Sequence, residues 1–335
     1  MKAVMMTAVG GPQVLKTTAT RDPVIENDTD VLVKLYAASI NPIDTKIRRG
    51  GPLQQHDLPI VLGCDGAGEV VETGALVFNL NPGDKVWYCH GGLGMEQGNY
   101  AQYNVVPAEV LRKMPNNLSF SQAAAAPLVL ITAWEALQTL ARLNADETVL
   151  IHAGAGGVGH IAIQIAKSIG AKVITTVSSE AQEVFVKRLG ADEVINYKTQ
   201  NVIEKVYQLT KQQGADVVFD TVGPAIYKDC LQQARYQGRV VSLLDPGEAL
   251  CSKTARQRNL SLSFELMLTP MLNPQLNRWR TAQADLLDKS KALIEKDLLK
   301  IEVFHEYPLE QAAEAHKAIE SGSSRGKHVL RIAAE

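Results

Sequence analysis

Residues Thr148–Gly159 read TVLIHAGAGGVG and decide the fold. The stretch opens with the apolar and β-branched run Thr148–Ile151, which is typical of a strand buried on both faces of a parallel sheet. A cluster of glycines follows directly, and apolar residues then recur at helical spacing until Gly170. The order strand, glycine loop, helix predicts a strand at Thr148–Ala153 and a helix over 157–169.

The glycine loop supplies the geometry that a pyrophosphate needs. Glycines at G-x-G-x-x-G spacing allow a tight turn, bring the backbone close to phosphate oxygens and let helix and strand pack closely. The helix N-terminus adds unpaired N–H groups and a partial positive charge. A glycine-rich turn that binds nothing is the alternative. The predicted cofactor-binding residues of this loop are Gly154, Ala155, Gly156, Gly157, Val158 and Gly159.

Length and composition narrow the class of protein. The chain has 335 residues, enough for two domains, and its net charge of −2 gives no reason to expect nucleic acid or an anionic membrane as a partner. No apolar run reaches the roughly 18 residues of a membrane span, and the first residues lack a signal-peptide pattern. The four cysteines form no C-x-x-C pair, so we interpret them as reduced thiols of a cytoplasmic protein.

The first part of the chain, residues 1–122, predicts a β-rich domain. Short strands are expected at Val31–Tyr36, Gly68–Val71 and Lys85–Tyr88, with glycine- and proline-containing turns between them. Short strands with many such turns are typical of a small barrel or sandwich. Helix formers become frequent from Ser119, which is a candidate helix N-cap.

Strands and helices alternate along residues 123–269. The expected strands are Thr148–Ala153, Lys172–Val177, Glu193–Asn196, Asp216–Asp220 and Arg239–Leu244, with helices around 157–169, 180–189, 199–213 and 224–236. Five strands joined by helical crossovers predict an α/β fold with a doubly wound parallel sheet. A sixth strand at Leu260–Met267 would close one edge. Because an apolar edge strand is normally covered or paired, we expect a homodimer that pairs this edge across a two-fold axis.

The last segment, residues 270–335, does not extend the alternating pattern. We expect helices at 278–296 and Leu309–Ile319, and strands at Val303–Tyr307 and His328–Ile332. We assign the segment to the first domain. The predicted organisation is therefore one domain made of residues 1–122 plus 270–335, with residues 123–269 inserted in it as the dinucleotide-binding domain.

Eight blocks of sequence, in order, resemble the medium-chain dehydrogenase/reductase superfamily in its zinc-free quinone reductase branch, which includes zeta-crystallin. The blocks are Ser39–Arg48, Gly63–Gly74, Asn81–Val86, Thr132–Leu137, the HAGAGGVG loop, Gly190–Tyr197, Asp216–Gly223 and Gly326–Leu330. The resemblance implies a chaperonin-10-like catalytic domain, a Rossmann domain and a nicotinamide cofactor in the cleft between them.

The positions that hold catalytic zinc in other branches carry the wrong residues here. Zinc enzymes of the superfamily need three protein ligands and an open fourth position. The chain has Asn41 near the first expected cysteine, Cys64-Asp65 where zinc members have His-Glu, and Pro127-Leu128-Val129 where the third ligand would lie. We therefore predict no zinc. Cys64 is interpreted as a small buried thiol, the alternative being an oxidation-sensitive thiol near the cofactor.

The cofactor is predicted to be NADPH rather than NADH. NAD enzymes place an acidic residue about 20 positions beyond the glycines, and this chain has Ser178 and Ser179 there. A hydroxyl can donate to a 2′-phosphate without repelling it, and the quinone reductase branch mostly uses NADPH. Gln182 stands where relatives commonly have lysine, which weakens the prediction. By resemblance Tyr197 contacts the adenosine phosphate, the alternative being an ordinary strand-end tyrosine.

The ends of the fourth and fifth strands and three further residues complete the predicted site. Carboxyl ends of parallel strands line the ligand crevice, so Val222, Gly223, Leu243 and Leu244 should border the cofactor. By resemblance Asn41, Thr132 and Asp44 lie near the nicotinamide and are the predicted catalytic residues. The alternatives are a turn at Asn41 and a helix cap at Asp44.

These features predict an NADPH-dependent reductase that transfers hydride to a quinone or α,β-unsaturated carbonyl without metal. No general base stands out, and the reduced product can take its proton from water. The cofactor carries the difficult step, while the protein orients it and excludes water. Two alternatives stay open: an alcohol dehydrogenase of the same superfamily and a non-catalytic NADPH-binding protein.

Overall fold

The computed structural model describes residues 1–322 and 325–334 and divides into two compact units. The β-rich unit comprises Met1–Ile131, Leu268–Asp297 and Ile301–Glu335, and the parallel-sheet unit comprises Thr132–Met267 and Leu298–Lys300. The domain boundaries expected from the sequence, 1–122 plus 270–335 and 123–269, remain a prediction. No helix in the described part of the chain is long and apolar enough to cross a membrane.

The strands and helices are numbered in chain order. The strands are β1 Lys2–Met6, β2 Leu15–Ala19, β3 Asp30–Ile40, β4 Ile60–Val61, β5 Asp65–Thr73, β6 Lys85–Cys89, β7 Tyr103–Pro107, β8 Arg112–Lys113, β9 Thr148–Ile151, β10 Lys172–Val177, β11 Glu193–Asn196, β12 Ala215–Asp220, β13 Ala234–Ser242, β14 Ser261–Phe264, β15 Val303–Pro308 and β16 Lys327–Arg331. The helices are α1 Pro42–Gly50, α2 Phe120–Ala124, α3 Pro127–Trp134, α4 Gly157–Ile169, α5 Glu180–Arg188, α6 Val202–Leu209, α7 Tyr227–Gln233, α8 Ser252–Gln257, α9 Thr269–Leu272, α10 Asn277–Ile294 and α11 Ala312–Glu320.

The β-rich unit contains two sheets. The smaller has the order β2-β1-β4, and the larger has the order β15-β16-β3-β5-β6-β8 with β7 also paired to β3. The long strand β3 runs antiparallel to β5, β7 and β16. Apolar side chains from β3, β5 and β6, among them Val33, Val70 and Val86, are buried together. Alternating burial on these strands explains why the sequence predicts β structure here.

The parallel-sheet unit has the strand order β11-β10-β9-β12-β13-β14, and every pair in it is parallel. The decisive strand β9 is central and wholly buried from Val149 to Ile151. The predicted helix over 157–169 coincides with α4, which ends at Gly170 with a φ of 96°. Glycine adopts this left-handed conformation more easily than other residues, which explains why the helix ends there. The predicted doubly wound α/β fold is confirmed.

Some predicted bounds are wrong for local reasons. The fifth strand begins at Ala234 rather than Arg239, so the helix before it ends at Gln233. Gln237 has a φ of 59°, and this irregularity hides the first part of β13 from a pattern based on alternation. The helix expected from Leu309 begins at Ala312, because the chain continues as β15 to Pro308 and then makes a 3₁₀ turn.

Other features were missed or were confirmed at single residues. Strands β1, β2 and β7 were not predicted, since each has only five residues and none alternates regularly between apolar and polar residues. Ser119 is the N-cap of α2, where its hydroxyl accepts the N–H of Gln122 at 3.2 Å. The helix that follows passes beyond Trp134 into a π-helical segment, Glu135–Leu140.

Candidate functional site

The glycine loop lies between β9 and α4, at the carboxyl edge of the parallel sheet. Ala153 takes up a φ of 50°, unusual for a residue with a side chain, and turns the chain out of the strand. Gly156 is the N-cap of α4, and Gly157 and Val158 begin the helix with their surfaces partly exposed. The first N–H groups of a helix have no acceptor within it. The loop therefore offers backbone donors and the positive end of a helix dipole to an anion.

Two glycines of the motif stand where no side chain fits. A Cβ on Gly159 would lie 2.8 Å from Cα of Gly154, and one on Gly154 would overlap the hydroxyl of Thr175 and lie 3.0 Å from Cδ1 of Ile163. Real Cβ atoms do not approach so closely, so both positions require glycine. A Cβ on Gly156 would lie 3.2 Å from the carbonyl of Ala153, a milder conflict. These glycines therefore let α4 pack directly against the strand ends, which is the backbone geometry of a pyrophosphate-binding loop.

Buried polar groups hold the base of this loop. The hydroxyl of Thr176 accepts the N–H of Ala153 at 3.0 Å, and Nε2 of His152 lies 2.7 Å from Oε1 of Gln233. Burial lowers the pKa of His152, although Gln233 acts in the opposite direction. Burial thus favours the neutral imidazole, which holds the base of the loop through its contact with Gln233.

At the end of β10, the predicted 2′-phosphate residues are engaged with α5. Ser178 donates its hydroxyl and its N–H to Oε1 of Gln182, each at 2.9 Å. Ser179 is the N-cap of α5 and accepts the N–H of Gln182 at 3.3 Å. Tyr197 follows β11 and is 48% exposed, with the Lys198 ammonium 5.3 Å from its ring centroid. The two positions that would carry an acid for a ribose 2′-hydroxyl are thus both serine.

The residues after β12 and β13 lie side by side. One carboxylate oxygen of Asp220 accepts the N–H groups of Val222 and Gly223, both at 2.8 Å, and the other accepts the hydroxyl of Ser242 at 2.9 Å. A Cβ on Gly223 would lie 2.7 Å from Leu244. The predicted pairs at the ends of these strands thus form one surface, with Val222 exposed and Leu243 half-buried.

Two buried carboxyl groups meet within the parallel-sheet unit. Glu265 follows β14 and forms a side-chain hydrogen bond with Glu135, which lies in the π-helical segment. Burial, and then the neighbouring Glu135, raise the pKa of Glu265 to about 9. The pair therefore shares a proton at neutral pH. The sequence contains no signal that would have joined these two residues.

In the β-rich unit, Asp65 is the centre of a buried polar cluster made of Ser39, Asn41, Asp44, Asp65, Tyr100, His316 and Lys327. Its Oδ2 accepts the hydroxyl of Ser39 at 2.7 Å and Nδ2 of Asn41 at 2.8 Å. Its Oδ1 accepts the N–H of Leu128 at 2.8 Å, in the first turn of α3. A carboxylate at a helix N-terminus is stabilised by the helix dipole.

Lys327 is the cation of the polar cluster. Its ammonium donates to Oδ1 of Asn41 and lies 3.7 Å from Asp65. Burial lowers the pKa of Lys327, whereas the charges of Asp65 and Asp44 act in the opposite direction. Both polar ends of the Asn41 side chain are therefore committed, and its orientation is fixed.

Asp44 lies beside Asn41 at the start of α1. Its Oδ2 accepts the N–H of Asn41 at 2.7 Å and the hydroxyl of Tyr100 at 3.2 Å, and that hydroxyl is 3.1 Å from Nε2 of His316. Burial, reinforced by the charge of Asp65, raises the pKa of Asp44 to about 7. The residue is a helix cap, as the alternative interpretation held, and it is also an acid that titrates near neutrality.

Cys64 and Thr132 complete the set of residues singled out in the sequence. Cys64 is wholly buried, and burial raises the pKa of its thiol well above the usual range. A reactive thiol has the opposite properties, so the geometry favours the small buried thiol. Thr132 is buried within α3. Across residues 1–322 and 325–334, no group of three or more His, Cys, Asp or Glu side chains could hold a metal ion.

Sequence reasoning found Asn41 and Asp44 but missed their partners. Asp65 was noted only as a departure from a zinc motif, and Tyr100, His316 and Lys327 were not considered. The signals were weak but present: Asp65 is the one charged residue in the run 60–68, and Lys327 opens a buried strand. A charged residue among buried apolar positions normally has a partner.

Comparisons with known proteins agree with this architecture. Residues 27–116 match the alcohol dehydrogenase GroES-like domain family, and residues 157–253 match the zinc-binding dehydrogenase family. The second match begins at the end of the glycine loop and covers strands β10 to β13 of the parallel sheet. Mouse quinone oxidoreductase is 32% identical over 342 residues, covering 99% of this chain and 98% of the relative. The chain belongs to the medium-chain dehydrogenase/reductase family, and within it to the group of proteins named quinone oxidoreductase.

Solved structures are similar over the whole chain. The structure of Escherichia coli quinone oxidoreductase complexed with NADPH is 29% identical, with a TM-score of 0.86 and coverage of 99% of this chain and 100% of that one. A structure described as an NAD-dependent alcohol dehydrogenase is 32% identical, with a TM-score of 0.90 and the same coverage. The chaperonin-10-like and Rossmann folds predicted from the sequence are confirmed, whereas the structural likeness alone does not separate these two activities.

Proposed function

We propose that this protein is an NADPH-dependent reductase that transfers hydride to a quinone or an α,β-unsaturated carbonyl without metal. The observation that carries the proposal is the glycine loop, in which Gly154 and Gly159 pack too closely against their neighbours for any side chain and so bring the N-terminus of α4 against the strand ends. Membership of the quinone oxidoreductase group supports the same activity. The bound nicotinamide would supply the hydride; the protein's own residues bind, orient and exclude water.

The residues that would hold the cofactor come from five strand ends of the parallel-sheet unit. The backbone at Gly156–Val158 would bind the pyrophosphate, and Val222, Gly223, Leu243 and Leu244 would border the nucleotide. Ser178, Ser179 and Tyr197 would contact the adenosine 2′-phosphate. Because Ser178 donates to Gln182, the amide nitrogen of Gln182 is the donor we expect to face that phosphate.

The catalytic residues would be Asn41, Asp44 and Thr132. Lys327 and Asp65 hold the Asn41 amide in one orientation, which suits a group that positions a substrate or cofactor. The residues around Asn41 also support a reaction without zinc. A lysine ammonium stands within the same cluster as Asn41 and Asp65, and it supplies the positive charge that balances the carboxylate.

NADPH turnover tests the proposal. We expect the purified protein to oxidise NADPH with quinones and enones, to prefer NADPH to NADH, and to keep its activity after treatment with a chelator. Oxidation of a primary alcohol with NAD⁺, dependent on added zinc, would instead support the alcohol dehydrogenase alternative, which the second structural neighbour raises. Tight NADPH binding with no turnover of any acceptor would support the non-catalytic alternative.

We also propose a cytoplasmic homodimer that pairs β14 across a two-fold axis. In support, β14 is the edge strand of the sheet, and its last residue Phe264 and the following Leu266 are each about half exposed. Light scattering at micromolar concentration should give twice the chain mass. A monomer at that concentration, or a dimer that survives Phe264→Pro, would contradict this pairing. The N–H of Glu265 donates to Ser242 of β13, so the N–H of Phe264 faces the open edge, and proline removes it as a ladder donor.

A further inference from the structure

We propose that Asp44, Tyr100 and His316 form a relay that delivers a proton to the reduced product. The inference rests on the proposed function and replaces the simpler view that the product takes its proton directly from water. It assigns Tyr100 and His316, which act through Asp44, a role that no sequence motif suggests.

The three side chains form an unbroken line of hydrogen bonds in the β-rich unit. The Tyr100 hydroxyl bridges Oδ2 of Asp44 at 3.2 Å and Nε2 of His316 at 3.1 Å. All three residues are fully buried, so water does not compete for these bonds. Gly63 allows the arrangement: a Cβ there would lie 2.5 Å from the Tyr100 ring.

The two ends of the line are the atoms that a relay needs. Oδ1 of Asp44 and Nδ1 of His316 are buried, and neither has a hydrogen-bond partner among the described residues. Buried polar atoms without a protein partner are normally satisfied by ordered water or by a ligand. We infer that Oδ1 faces the reduced product and that Nδ1 faces water.

The proton positions follow from the donors already present. Oδ2 of Asp44 accepts from the Asn41 N–H and the Tyr100 hydroxyl, so the acidic proton of neutral Asp44 lies on Oδ1. Burial, and then the charge of Arg48, lower the pKa of His316 to about 3, so its ring is neutral and one nitrogen carries hydrogen.

The transfer is balanced in atoms and charge. Hydride from the reduced nicotinamide nucleotide converts the acceptor to an enolate or a hydroquinone anion, and Asp44 then donates its proton from Oδ1. The Tyr100 proton moves to Oδ2, the Nε2 proton of His316 moves to Tyr100, and Nδ1 takes a proton from water. Each bond that breaks is matched by one that forms, and the cluster regains its starting charge.

Charged groups on both sides of the relay set its protonation. Asp44 is influenced by Asp65, which raises its pKa, and by Lys327, which lowers it. His316 is influenced by Arg48, which is itself buried and paired with Glu320 at the end of α11. Glu320 is partly exposed.

The activity test compares two acceptors. An enone gives a strongly basic enolate that needs an enzyme proton, whereas a tetrahalogenated quinone gives a weakly basic anion that needs none. We expect Asp44→Asn and Tyr100→Phe to lower kcat with the enone about 100-fold, the usual size of a general-acid effect, and with the halogenated quinone less than about 3-fold. Tyr88→Phe is the matched control, since it removes a buried hydroxyl that donates to Asn99 at 2.7 Å.

A second readout needs neither cofactor nor turnover. Infrared difference spectra of the free protein should show a protonated carboxyl band that disappears around neutral pH and is absent from Asp44→Asn. Tyr100→Phe should raise its midpoint, because the ionised carboxylate loses a donor. His316→Gln keeps a hydrogen bond to Tyr100 but cannot relay a proton, and it replaces Tyr100→Phe if that variant does not fold.

The outcomes separate the two proposals. Equal losses on both acceptors, or full enone activity in the variants, would overturn the relay while leaving the reductase intact. A missing carboxyl band would also overturn it. If the unaltered protein reduces no acceptor but shows the band, the reductase proposal fails, and with it the relay. Asp44 would then be a buried acid without a catalytic role.

Discussion

The glycine loop of the parallel-sheet unit and the polar cluster of the β-rich unit are built in opposite ways. The loop is one continuous stretch whose function depends on backbone amides and on missing side chains at Gly154 and Gly159. The cluster is made of side chains from distant positions, with Asn41 and Lys327 separated by 286 residues in sequence. One site is therefore sensitive to added atoms and the other to lost partners.

The two regions also differ in their electrostatics, with backbone dipoles in the loop and ionisable side chains in the cluster. The loop attracts an anion through fixed dipoles, which do not change with pH. The cluster contains two carboxyl groups and one ammonium in a buried environment, where the charges of Asp65 and Lys327 alter the pKa of Asp44 and both carboxyl groups alter the pKa of Lys327. Variants and pH should therefore affect the two regions differently, and the following predictions test that difference.

The largest effect is expected from Asp65→Ala. The variant leaves Lys327 as a buried charge without its carboxylate and removes the acceptor of three hydrogen bonds. We expect the free energy of unfolding to fall by about 3–5 kcal/mol, measured by urea denaturation. Glu183→Ala, which breaks a solvent-exposed pair with Lys187, is the control and should cost less than about 1 kcal/mol. Equal losses would show that the cluster is not a buried ion pair.

Asp44→Asn should change how stability depends on pH. The pKa of Asp44 is about 7 in the folded protein, against an ordinary aspartate value of 3.8, so between these values the folded state holds a proton that the unfolded chain has released. Stability of the unaltered protein should therefore fall as pH rises from about 4 to 7, by on the order of 3 kcal/mol from this residue. Thermal denaturation at pH 5 and pH 8 measures it. A variant with the same pH dependence as the unaltered protein would contradict the assignment.

Gly159→Ala should damage the glycine loop through sterics alone. The new Cβ would lie 2.8 Å from Cα of Gly154, and the backbone must shift to relieve the overlap. We expect the free energy of NADPH binding to weaken by about 1–3 kcal/mol, which is roughly 10- to 100-fold in affinity. Titration calorimetry measures it. Gly50→Ala, whose Cβ would meet no atom within 4 Å, is the control outside the loop and should lose less. The reverse order would mean that close packing at Gly159 is not what shapes the loop.

The smallest effect is expected at the end of β10. Gln182→Lys places an ammonium beside Ser178, where we propose that the 2′-phosphate binds. The ratio of NADPH to NADH affinity should rise several-fold, about 1 kcal/mol, and the gain should shrink at high salt. Gln213→Lys adds the same charge after α6 and should leave the ratio unchanged. A gain in both variants would point to a general charge effect.

Local sequence was sufficient wherever structure depends on neighbours in the chain. The buried run Thr148–Ile151, the glycine spacing and the stop at Gly170 predicted β9, the loop and α4. Ser119 was identified as a cap by its residue type and position. Local rules were insufficient where β13 begins irregularly at Ala234, because a positive φ at Gln237 interrupts the alternation that a strand normally shows.

The polar cluster could be predicted only in part. The family resemblance pointed to Asn41 and Asp44, and their residue types also fitted a turn and a cap, which they form. Nothing near either residue indicated that Lys327, Tyr100 and His316 would meet them. The same holds for Glu135 and Glu265, whose shared proton depends on burial that residue type does not reveal.

The sequence by itself determined the parallel sheet, the helix that begins at the glycine loop and the absence of side chains at that loop. Those properties arise from periodicity and backbone sterics, which act over a few residues. Only the tertiary structure decided which buried charges face each other, that Asp44 has a pKa of about 7 and that a tyrosine joins it to a histidine. The physical reason is that a pKa depends on desolvation and on nearby charges, and both are set by strands and helices that meet only when the chain is folded.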